Sequence, residues 1–395
     1  MELLPFPRIL ILISLTLIIL GLIPLYHPFY RYPMNLVVDH SSKISSPLSY
    51  HTCNVFIGDW IPNPEAPYYT NRTCWAIHEH QNCMKYGRPD TEFLKWRWKP
   101  KGCELPIFNP YQFLDMMRNK SMAFIGDSVG RNQMQSLICL LSRNQIPMVL
   151  AIQDFSIFIL MNLDPKWTTQ IEQFDYPDSK FAHRFTRCSV YYEKNQIIGC
   201  RYCGIPNVTE LPINYGYRKA LKTTLKAINN LEKFKGITFL RTIAPSHFEG
   251  GEWNKGGNCV RKGPFRSNET TLDDISLEFY KTQVEEFKIA AEEGKEKDKR
   301  FRLLDMTQAM WLRPDGHPSK YGHWSNANVV LYNDCVHWCL PGPIDSWSDF
   351  LLHMLKLEGR RALEENLQLK KVYNKNRNGY PFFICLINLF NKILR

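Results

Sequence analysis

A short apolar run that leads directly into a helical pattern constrains the fold of this chain more than any other feature. The run Ser121–Gly126 is bounded like a buried strand, and from Val129 to Ser142 apolar side chains recur at helical spacing. Further segments continue the alternation in chain order: helical spacing at 221–231, an apolar run at 236–241, helical spacing at 275–287, an apolar run at 301–305 and helical spacing at 347–355. Helices that alternate with short apolar runs predict an α/β fold, with a sheet between two layers of helices.

The N-terminus predicts a membrane anchor. Residues 9–25 contain no charged side chain and lie between Arg8 and Arg31. About 17 apolar residues reach the lower limit of a bilayer span, and the run extends through Tyr26. No small-x-small cleavage site follows, so an uncleaved signal anchor is favoured over a cleaved signal peptide, which stays the alternative. The expected segments are a cytoplasmic N-terminus at 1–8, a transmembrane helix at 9–26 and a lumenal stem at 27–50.

Cysteine usage indicates an oxidising compartment. Of the 12 cysteines, all but Cys385 lie between positions 53 and 339. Asn119 begins a glycosylation sequon, and so do the three glycosylation candidates Asn71, Asn207 and Asn268. The anchor, the cysteines and the sequons together predict a glycoprotein of the secretory lumen with disulfide bonds.

The positive charge of the chain does not indicate a nucleic-acid partner. The formal net charge is +11 and the sequence pI is about 9.0. There is no run of five or six adjacent Lys and Arg, and no signature of a nucleic-acid-binding module. The charge is therefore interpreted as a dispersed, solvated surface.

Composition divides the remainder of the chain into three parts. The segment 51–104, rich in Cys, Trp, Tyr and Pro, predicts loops held by disulfides, and the α/β pattern occupies 105–366. In the tail, 367–395, Lys and Asn dominate as far as Asn378, and an apolar run around Cys385 follows. That run is too short to span a bilayer. An interfacial segment is one alternative, but the expectation is a disordered tail.

Gly126-Asp127-Ser128 lies where the first strand ends and its helix begins. A hydroxyl at this point projects from the edge of the sheet, and the helix N-terminal amides with the serine N–H can stabilise an oxyanion. Serine needs a positioned base, and Asp334 and His337 supply a carboxylate and an imidazole three residues apart. Each motif alone is also typical of a turn or a helix cap, so only their combination predicts acyl transfer by a Ser, Asp, His triad.

Four stretches resemble the plant trichome birefringence-like family. Two of them hold the predicted triad: Gly126-Asp-Ser-Val-Gly-Arg-Asn-Gln-Met-Gln-Ser and Asp334-Cys-Val-His-Trp-Cys-Leu-Pro-Gly-Pro-Ile-Asp-Ser-Trp. The other two are Cys74-Trp-Ala-Ile-His-Glu-His-Gln-Asn-Cys and Arg313-Pro-Asp-Gly-His-Pro-Ser-Lys-Tyr-Gly-His. The similarity extends from about Cys53 to Leu357 and is strongest to the xyloglucan and mannan acetyltransferase branch.

The resemblance implies an SGNH/GDSL-like α/β/α sandwich with a smaller, disulfide-stapled lobe. It implies a single-pass type II Golgi membrane protein that moves an acetyl group, through an acetyl-serine, onto hydroxyls of a plant cell-wall polysaccharide, xyloglucan or another hemicellulose. Ser128 would be the nucleophile, His337 the general base and Asp334 the carboxylate that orients it. The candidates for oxyanion or substrate contacts are Gly126, Asp127, Arg131 and Asn132.

The resemblance also implies partners and disulfide pairs. No bound cofactor is expected, but an acetyl donor is required, supplied by machinery of the Golgi membrane, and no fingerprint in the sequence identifies it. The implied pairs are Cys53–Cys103, Cys74–Cys139, Cys83–Cys339 and Cys259–Cys335, a connectivity that the sequence alone does not fix.

Several other polar and aromatic residues have a structural and a functional interpretation. His78, His80 and Cys83 do not match a standard zinc spacing, so no metal site is expected. Cys200 and Cys203 are interpreted as a structural disulfide or free thiols in preference to a redox pair. Loop hydrogen bonds are expected of His317 and His323. Sugar stacking is an alternative to packing, the favoured role, for three aromatic residues: Trp96, Trp98 and Tyr321.

One stretch departs from the family pattern. Between Ser142 and Thr186 the chain is shorter, and the apolar strand expected after Phe174 is replaced by Pro177-Asp-Ser-Lys-Phe-Ala-His-Arg-Phe. SGNH-like enzymes draw sheet or oxyanion residues from this region. A catalytically inactive wall-glycan-binding protein is therefore one alternative to the acetyltransferase. An acetyl-esterase with the same triad is another, because the sequence does not distinguish water from a sugar hydroxyl as the acceptor.

Overall fold

The computed structural model describes residues 53–142, 155–161, 171–174, 188–193, 196–201, 206–324, 332–370 and 382–388. All of them belong to one compact unit, Thr52–Arg395. The predicted anchor and stem lie outside these residues. Among the residues described, no helix combines the length and the apolar character that crossing a bilayer requires.

Ten strands and six α-helices occur in the described ranges. The strands are β1 Gly58–Pro62, β2 Trp96–Pro100, β3 Lys120–Gly126, β4 Phe155–Met161, β5 Ile171–Phe174, β6 Cys188–Glu193, β7 Gln196–Arg201, β8 Ile237–Arg241, β9 Arg300–Leu304 and β10 Phe382–Asn388. The helices are α1 Pro110–Met117, α2 Ser128–Leu141, α3 Asn214–Asn229, α4 Asp274–Lys295, α5 Thr307–Trp311 and α6 Ser346–Lys370. The predicted apolar runs are confirmed as strands β3, β8 and β9, and the predicted helices as α2, α3, α4 and α6.

The main sheet has five strands in the order β4-β3-β10-β8-β9. Every neighbouring pair in it is parallel. Parallel strands place their carboxyl ends at one edge of the sheet, and in open α/β sheets that edge is where ligands bind. Ser128 follows β3 at this edge.

The central strand of the sheet comes from the C-terminal tail, where a disordered segment was expected. Strand β10 pairs with β3 from Phe382 opposite Lys120 to Asn388 opposite Gly126, and with β8 from Ile384 to Ile387. The expectation of disorder is therefore wrong for Phe382–Asn388. The tail fills the position between β3 and β8.

The altered middle segment contributes strands to two sheets. Strand β4 forms one edge of the main sheet beside β3. Strands β5, β6 and β7 form a separate antiparallel sheet of three. The replaced stretch that begins at Pro177 falls outside the described residues.

Helices cover both faces of the main sheet. Alternate residues of β8 show this, since they pack in different hydrophobic cores. Phe239 packs in one core with Leu137 of α2 and Leu351 of α6. Leu240 packs in another with Leu221 of α3 and Phe279 of α4. The period of two along a strand produces this division and gives the expected order of layers.

Disulfides tie the Cys-rich segment to the α/β core. The bonds between described cysteines are Cys53–Cys103, Cys74–Cys139, Cys83–Cys339 and Cys259–Cys335, the four pairs that the resemblance implies. Cys200 is a buried free thiol, so of the two preferred alternatives for it the free thiol is confirmed and the structural disulfide is not formed; Cys203 lies outside the described residues. A bond that closes a long loop removes much conformational freedom from the unfolded chain.

Candidate active site

Ser128 is the first residue of α2, directly after the turn that ends β3. Asp127 is the helix cap: its carboxylate accepts hydrogen bonds from the amides of Val129 at 3.0 Å and Gly130 at 3.4 Å. The expectation that these helix amides hold the oxyanion is therefore wrong for Val129 and Gly130, which are engaged by the cap. The Asp127 side chain fixes the start of the helix and so the position of the Ser128 hydroxyl.

Asp334 and His337 form a tight turn that is closed by the carboxylate. Asp334 Oδ2 is 2.7 Å from Nδ1 of His337, and its Oδ1 accepts the amides of Val336 at 3.1 Å and His337 at 3.0 Å. The imidazole is largely buried, with 7% of the residue exposed. Since Nδ1 donates to the carboxylate, Nε2 is the nitrogen that can accept a proton, and the carboxylate stabilises the imidazolium that results.

Asn132 connects the helix of Ser128 to the turn of His337. Its side-chain oxygen accepts the backbone amide of Trp338 at 2.8 Å, and the residue is fully buried. The Asn132 Nδ2 and the Nε of Arg131 are buried and have no hydrogen-bond partner among the described residues. Both residues follow the nucleophile on the helix, so donors suited to an oxyanion lie close to it in the chain.

The segment around His337 is held from both sides by disulfides. Cys335 is bonded to Cys259, and Cys339 is bonded to Cys83 of the N-terminal segment. The disulfide also engages the sulfur of Cys83, one of the three residues weighed and rejected as a zinc set. No group of three or more potential metal ligands occurs in the described part of the chain.

The Arg313-Pro-Asp-Gly-His block is a buried scaffold behind the site. Arg313 forms a fully buried ion pair with Asp315 at 2.7 Å and donates to the carbonyl of Phe93. Arg88 donates to the carbonyls of Asp315 and His317. Such a pair depends on its further hydrogen bonds, and the N-terminal segment supplies one of them through the Phe93 carbonyl, while Arg313 Nη1 is buried without a partner in the described ranges.

His317 supports the catalytic turn through a chain of contacts. Its Nδ1 is 2.7 Å from the carbonyl of His337, and its Nε2 is 2.7 Å from Nδ1 of His247. His247 Nε2 is in turn 2.7 Å from the carbonyl of Trp311. Burial lowers the pKa of both His247 and His317, since it disfavours the charged ring. The loop hydrogen bond expected of His317 is confirmed.

The predicted triad lines one cavity of about 560 Å³. Its wall contains Ser128, Asp334 and His337 together with the following residues: His78, His80, Gln81, Arg131, Ser246, Phe248, Trp253, Gly322, His323, Tyr332, Asn333 and Val336. This space is of the size that small-molecule sites have in proteins. We call it the catalytic cavity.

Basic and donor groups predominate around the catalytic cavity. His78, Arg131 and His323 are wall residues, and each has a buried nitrogen without a hydrogen-bond partner in the described ranges. Burial, then the charge of Arg131, lowers the pKa of His78. His323 also contacts the carbonyl of Trp324 at 3.4 Å, a long hydrogen bond that matches the loop role expected of it.

The aromatic residues named from the sequence do not line the catalytic cavity. Trp98 is 1% exposed and donates its indole N–H to the carbonyl of Val55, so packing is its role. Trp253 and Tyr332 line the cavity instead, with their rings edge to face at 5.4 Å. Both lie in loops, so periodicity could not find them; Trp253 does follow the carboxyl end of β8, which was a usable signal.

The geometry defines a class: an α/β protein with a serine nucleophile at a strand-to-helix turn and an Asp–His pair in the same cavity. Residues 105–156 and 152–354 match the GDSL/SGNH-like acyl-esterase family found in Pmr5 and Cas1p, and 51–104 match the PMR5 N-terminal domain. The chain belongs to this GDSL/SGNH-like family.

Similar proteins confirm the resemblance to the trichome birefringence-like family that the sequence shows. Trichome birefringence-like 19 of Arabidopsis thaliana is 50% identical over 89% of this chain and 94% of its own length. Xyloglucan O-acetyltransferase 2 of the same plant is 37% identical over 83% of this chain and 88% of its own. Xyloglucan O-acetyltransferase 3 of Populus trichocarpa is 38% identical over 77% and 86%. These similarities support a polysaccharide acetyltransferase or esterase-type activity.

Proposed function

We propose that this protein transfers an acetyl group, through an acetyl ester of Ser128, to a hydroxyl of a plant cell-wall polysaccharide such as xyloglucan. The observation that carries the proposal is that Ser128 and the Asp334–His337 pair line the same cavity. The names of the relatives support the acceptor class.

The first half of the reaction forms the acetyl-serine. His337 Nε2 takes the proton of the Ser128 hydroxyl as its oxygen attacks the acetyl carbonyl of the donor. The tetrahedral intermediate collapses, the donor group leaves with the proton that His337 returns, and the acetyl group remains on Ser128. Asp334 keeps the imidazole oriented throughout, because it binds both Nδ1 and the backbone amide of His337.

The second half transfers the acetyl group to the sugar. The acceptor hydroxyl loses its proton to His337 and attacks the acetyl-serine carbonyl, and Ser128 leaves with that proton restored. We assign the oxyanion to Asn132 Nδ2 and Arg131 Nε, both of which lack partners in the described ranges. Both residues lie in the first two turns of α2 after Ser128, and fixed donors close to developing charge lower such barriers.

The architecture of the sheet supports activity over the inactive alternative. Strand β3, which presents Ser128, has β4 on one side and β10 on the other. The nucleophile therefore directly follows an interior strand, in spite of the altered middle segment.

We further propose that the protein is a single-pass type II protein of the Golgi membrane, with its catalytic unit in the lumen and its acetyl donor supplied at that membrane. The apolar segment 9–26 and the disulfide-bonded cysteines support this location.

The proposal is tested with the protein expressed in a secretory host and incubated with an acetyl donor and a neutral xyloglucan oligosaccharide. Mass spectrometry of the oligosaccharide should show added acetyl groups with the native chain and none with Ser128→Ala. Equal acetylation by both proteins would overturn the assignment of Ser128.

The acetyl-esterase is retained as a second candidate because the matched family is named for acyl esterases. It predicts free acetate in place of an acetylated sugar in the same incubation. Release of acetate at the same rate with and without oligosaccharide would favour it.

A further inference from the structure

A second cavity of about 450 Å³ adjoins the catalytic cavity. The two have Ser246, Phe248 and Trp253 in common as wall residues. The remaining wall comes from the loop after β8, from the start of α4 and from the end of α5: Pro245, His247, Glu249, Gly251, Glu252, Thr270, Thr271, Leu272, Asp273, Ile275, Ser276 and Trp311. The two cavities are therefore adjacent and meet at these three residues.

The second cavity differs in charge from the catalytic cavity. Its wall has three carboxylates, Glu249, Glu252 and Asp273, and no Lys or Arg. An anionic ligand would be repelled there. Two of the carboxylates are already paired with basic side chains, Glu249 with Arg261 and Glu252 with Lys255. Such pairing weakens the attraction of these carboxylates for a further cation. Their remaining lone pairs can still accept hydrogen bonds from hydroxyls.

An orphaned donor also points to a polar, uncharged ligand. The indole Nε1 of Trp311 is buried and has no hydrogen-bond partner among the described residues. A buried donor without a partner costs free energy that a ligand oxygen would restore. The hydroxyls of Thr270 and Thr271 lie in the same wall, and the rings of Trp253 and Trp311 offer apolar faces. A sugar has hydroxyls that donate to carboxylates and accept from donors, and C–H faces that pack on indole rings. The wall of the second cavity offers all three kinds of contact.

We propose that the second cavity is a subsite for a neutral polysaccharide chain, which it holds while one hydroxyl of that chain lies beside Ser128. This inference rests on the proposed function for the identity of the reacting hydroxyl, but glycan binding is a separate property. The donor-rich catalytic cavity receives the acetyl group, and the carboxylate-lined cavity receives the length of the acceptor.

The test measures binding without turnover, on the full-length chain carrying Ser128→Ala. Isothermal titration compares a neutral xyloglucan oligosaccharide, an oligogalacturonide of the same length and glucose. We expect the neutral oligosaccharide to bind, glucose to bind far more weakly and the anionic oligogalacturonide to bind least. A preference for the oligogalacturonide would overturn the proposal.

A variant then locates the binding in the second cavity. Trp311→Phe keeps a ring and the backbone carbonyl but removes the indole donor. The affinity for the neutral oligosaccharide should therefore fall about five- to tenfold. Glu278→Gln is the matched control, because Glu278 is exposed on the same helix α4 and is not part of the wall. Equal affinity in the two variants would overturn the placement of the glycan.

The outcomes separate this inference from the proposed function. If the native chain transfers no acetyl group but binds the oligosaccharide with the expected loss in Trp311→Phe, the transferase fails and the subsite stands. If the chain transfers acetyl groups and Trp311→Phe binds like the control, the transferase stands and the subsite fails.

Discussion

The two adjoining cavities differ in the kind of side chain that each presents. The catalytic cavity has histidines and an arginine around Ser128, with Asp334 as its acidic residue, whereas the second cavity has carboxylates and no Lys or Arg. The first set suits a carbonyl that becomes an oxyanion, and the second suits uncharged hydroxyls. Chemistry and recognition are therefore assigned to neighbouring but separable regions, and mutations should affect them separately.

The largest expected effect is the loss of chemistry without loss of glycan binding. His337→Ala removes the base, and Asp334→Asn removes the carboxylate that orients it; each should lower acetyl-serine formation by about 10⁴-fold. The rate of acetyl incorporation from a small acetyl ester measures this. His353→Gln is the control, because His353 lies in α6 and in neither cavity wall, and it should react like the native chain. If His337→Ala incorporated acetyl groups at the native rate, the assignment of the chemistry to the catalytic cavity would be wrong.

The next prediction distinguishes two roles of Asn132: its Nδ2 as an oxyanion donor, and its side-chain oxygen as the acceptor that positions the Trp338 amide. Asn132→Asp keeps an oxygen for the Trp338 amide but loses the Nδ2 donor, so kcat should fall about 10²- to 10³-fold with little change in KM for the oligosaccharide. Steady-state kinetics on both substrates checks this. A rise in KM with unchanged kcat would assign Asn132 to acceptor binding instead.

A third prediction compares a disulfide at the catalytic turn with a remote one. Replacing both cysteines of Cys259–Cys335 by Ala, or both of Cys53–Cys103, should lower the free energy of unfolding by about 2–5 kcal/mol in each case. Only the first change frees the segment that holds His337, so only it should lower kcat at a temperature where both variants are folded. Equal loss of activity would mean that the catalytic turn is positioned by other contacts.

The smallest effect is on stability and should leave both cavities unchanged. Burial raises the pKa of Asp349 to about 8, while Oδ1 accepts the amide of Phe108. The folded chain then holds a proton that the unfolded chain loses, so stability falls as the pH rises from about 4 to about 8. Asp349→Asn keeps the acceptor without a charge and should stabilise the protein by about 2 kcal/mol at high pH and negligibly at low pH. Thermal unfolding across this range checks it; a constant difference would contradict it.

The sequence was sufficient for the part of the fold where neighbours in space are neighbours in the chain. Strand β3, helix α2 and the turn between them follow from local periodicity, and the cap on Asp127 is a local hydrogen bond. The Asp334–His337 contact is also local, which explains why a spacing of three residues predicted it.

The rest depends on contacts between distant residues. Strand β10 pairs with β3 across more than half of the chain, and a short apolar run carries no information about its partner. The amide partner of Asn132 and the support of His337 by His317 likewise join separate segments. Loop residues such as Trp253 have no periodicity, so their place between the cavities required the structure.

The central claim is that the hydroxyl of Ser128 and the imidazole of His337 act on one acetyl group. The most direct measurement is peptide mass mapping after brief exposure of the native chain to a small acetyl ester at several pH values. The account predicts an acetyl group on the peptide that contains Ser128, formed by the native chain and almost absent with His337→Ala. Acetylation of Ser128 at the same rate in both proteins, or of another residue in its place, would contradict it.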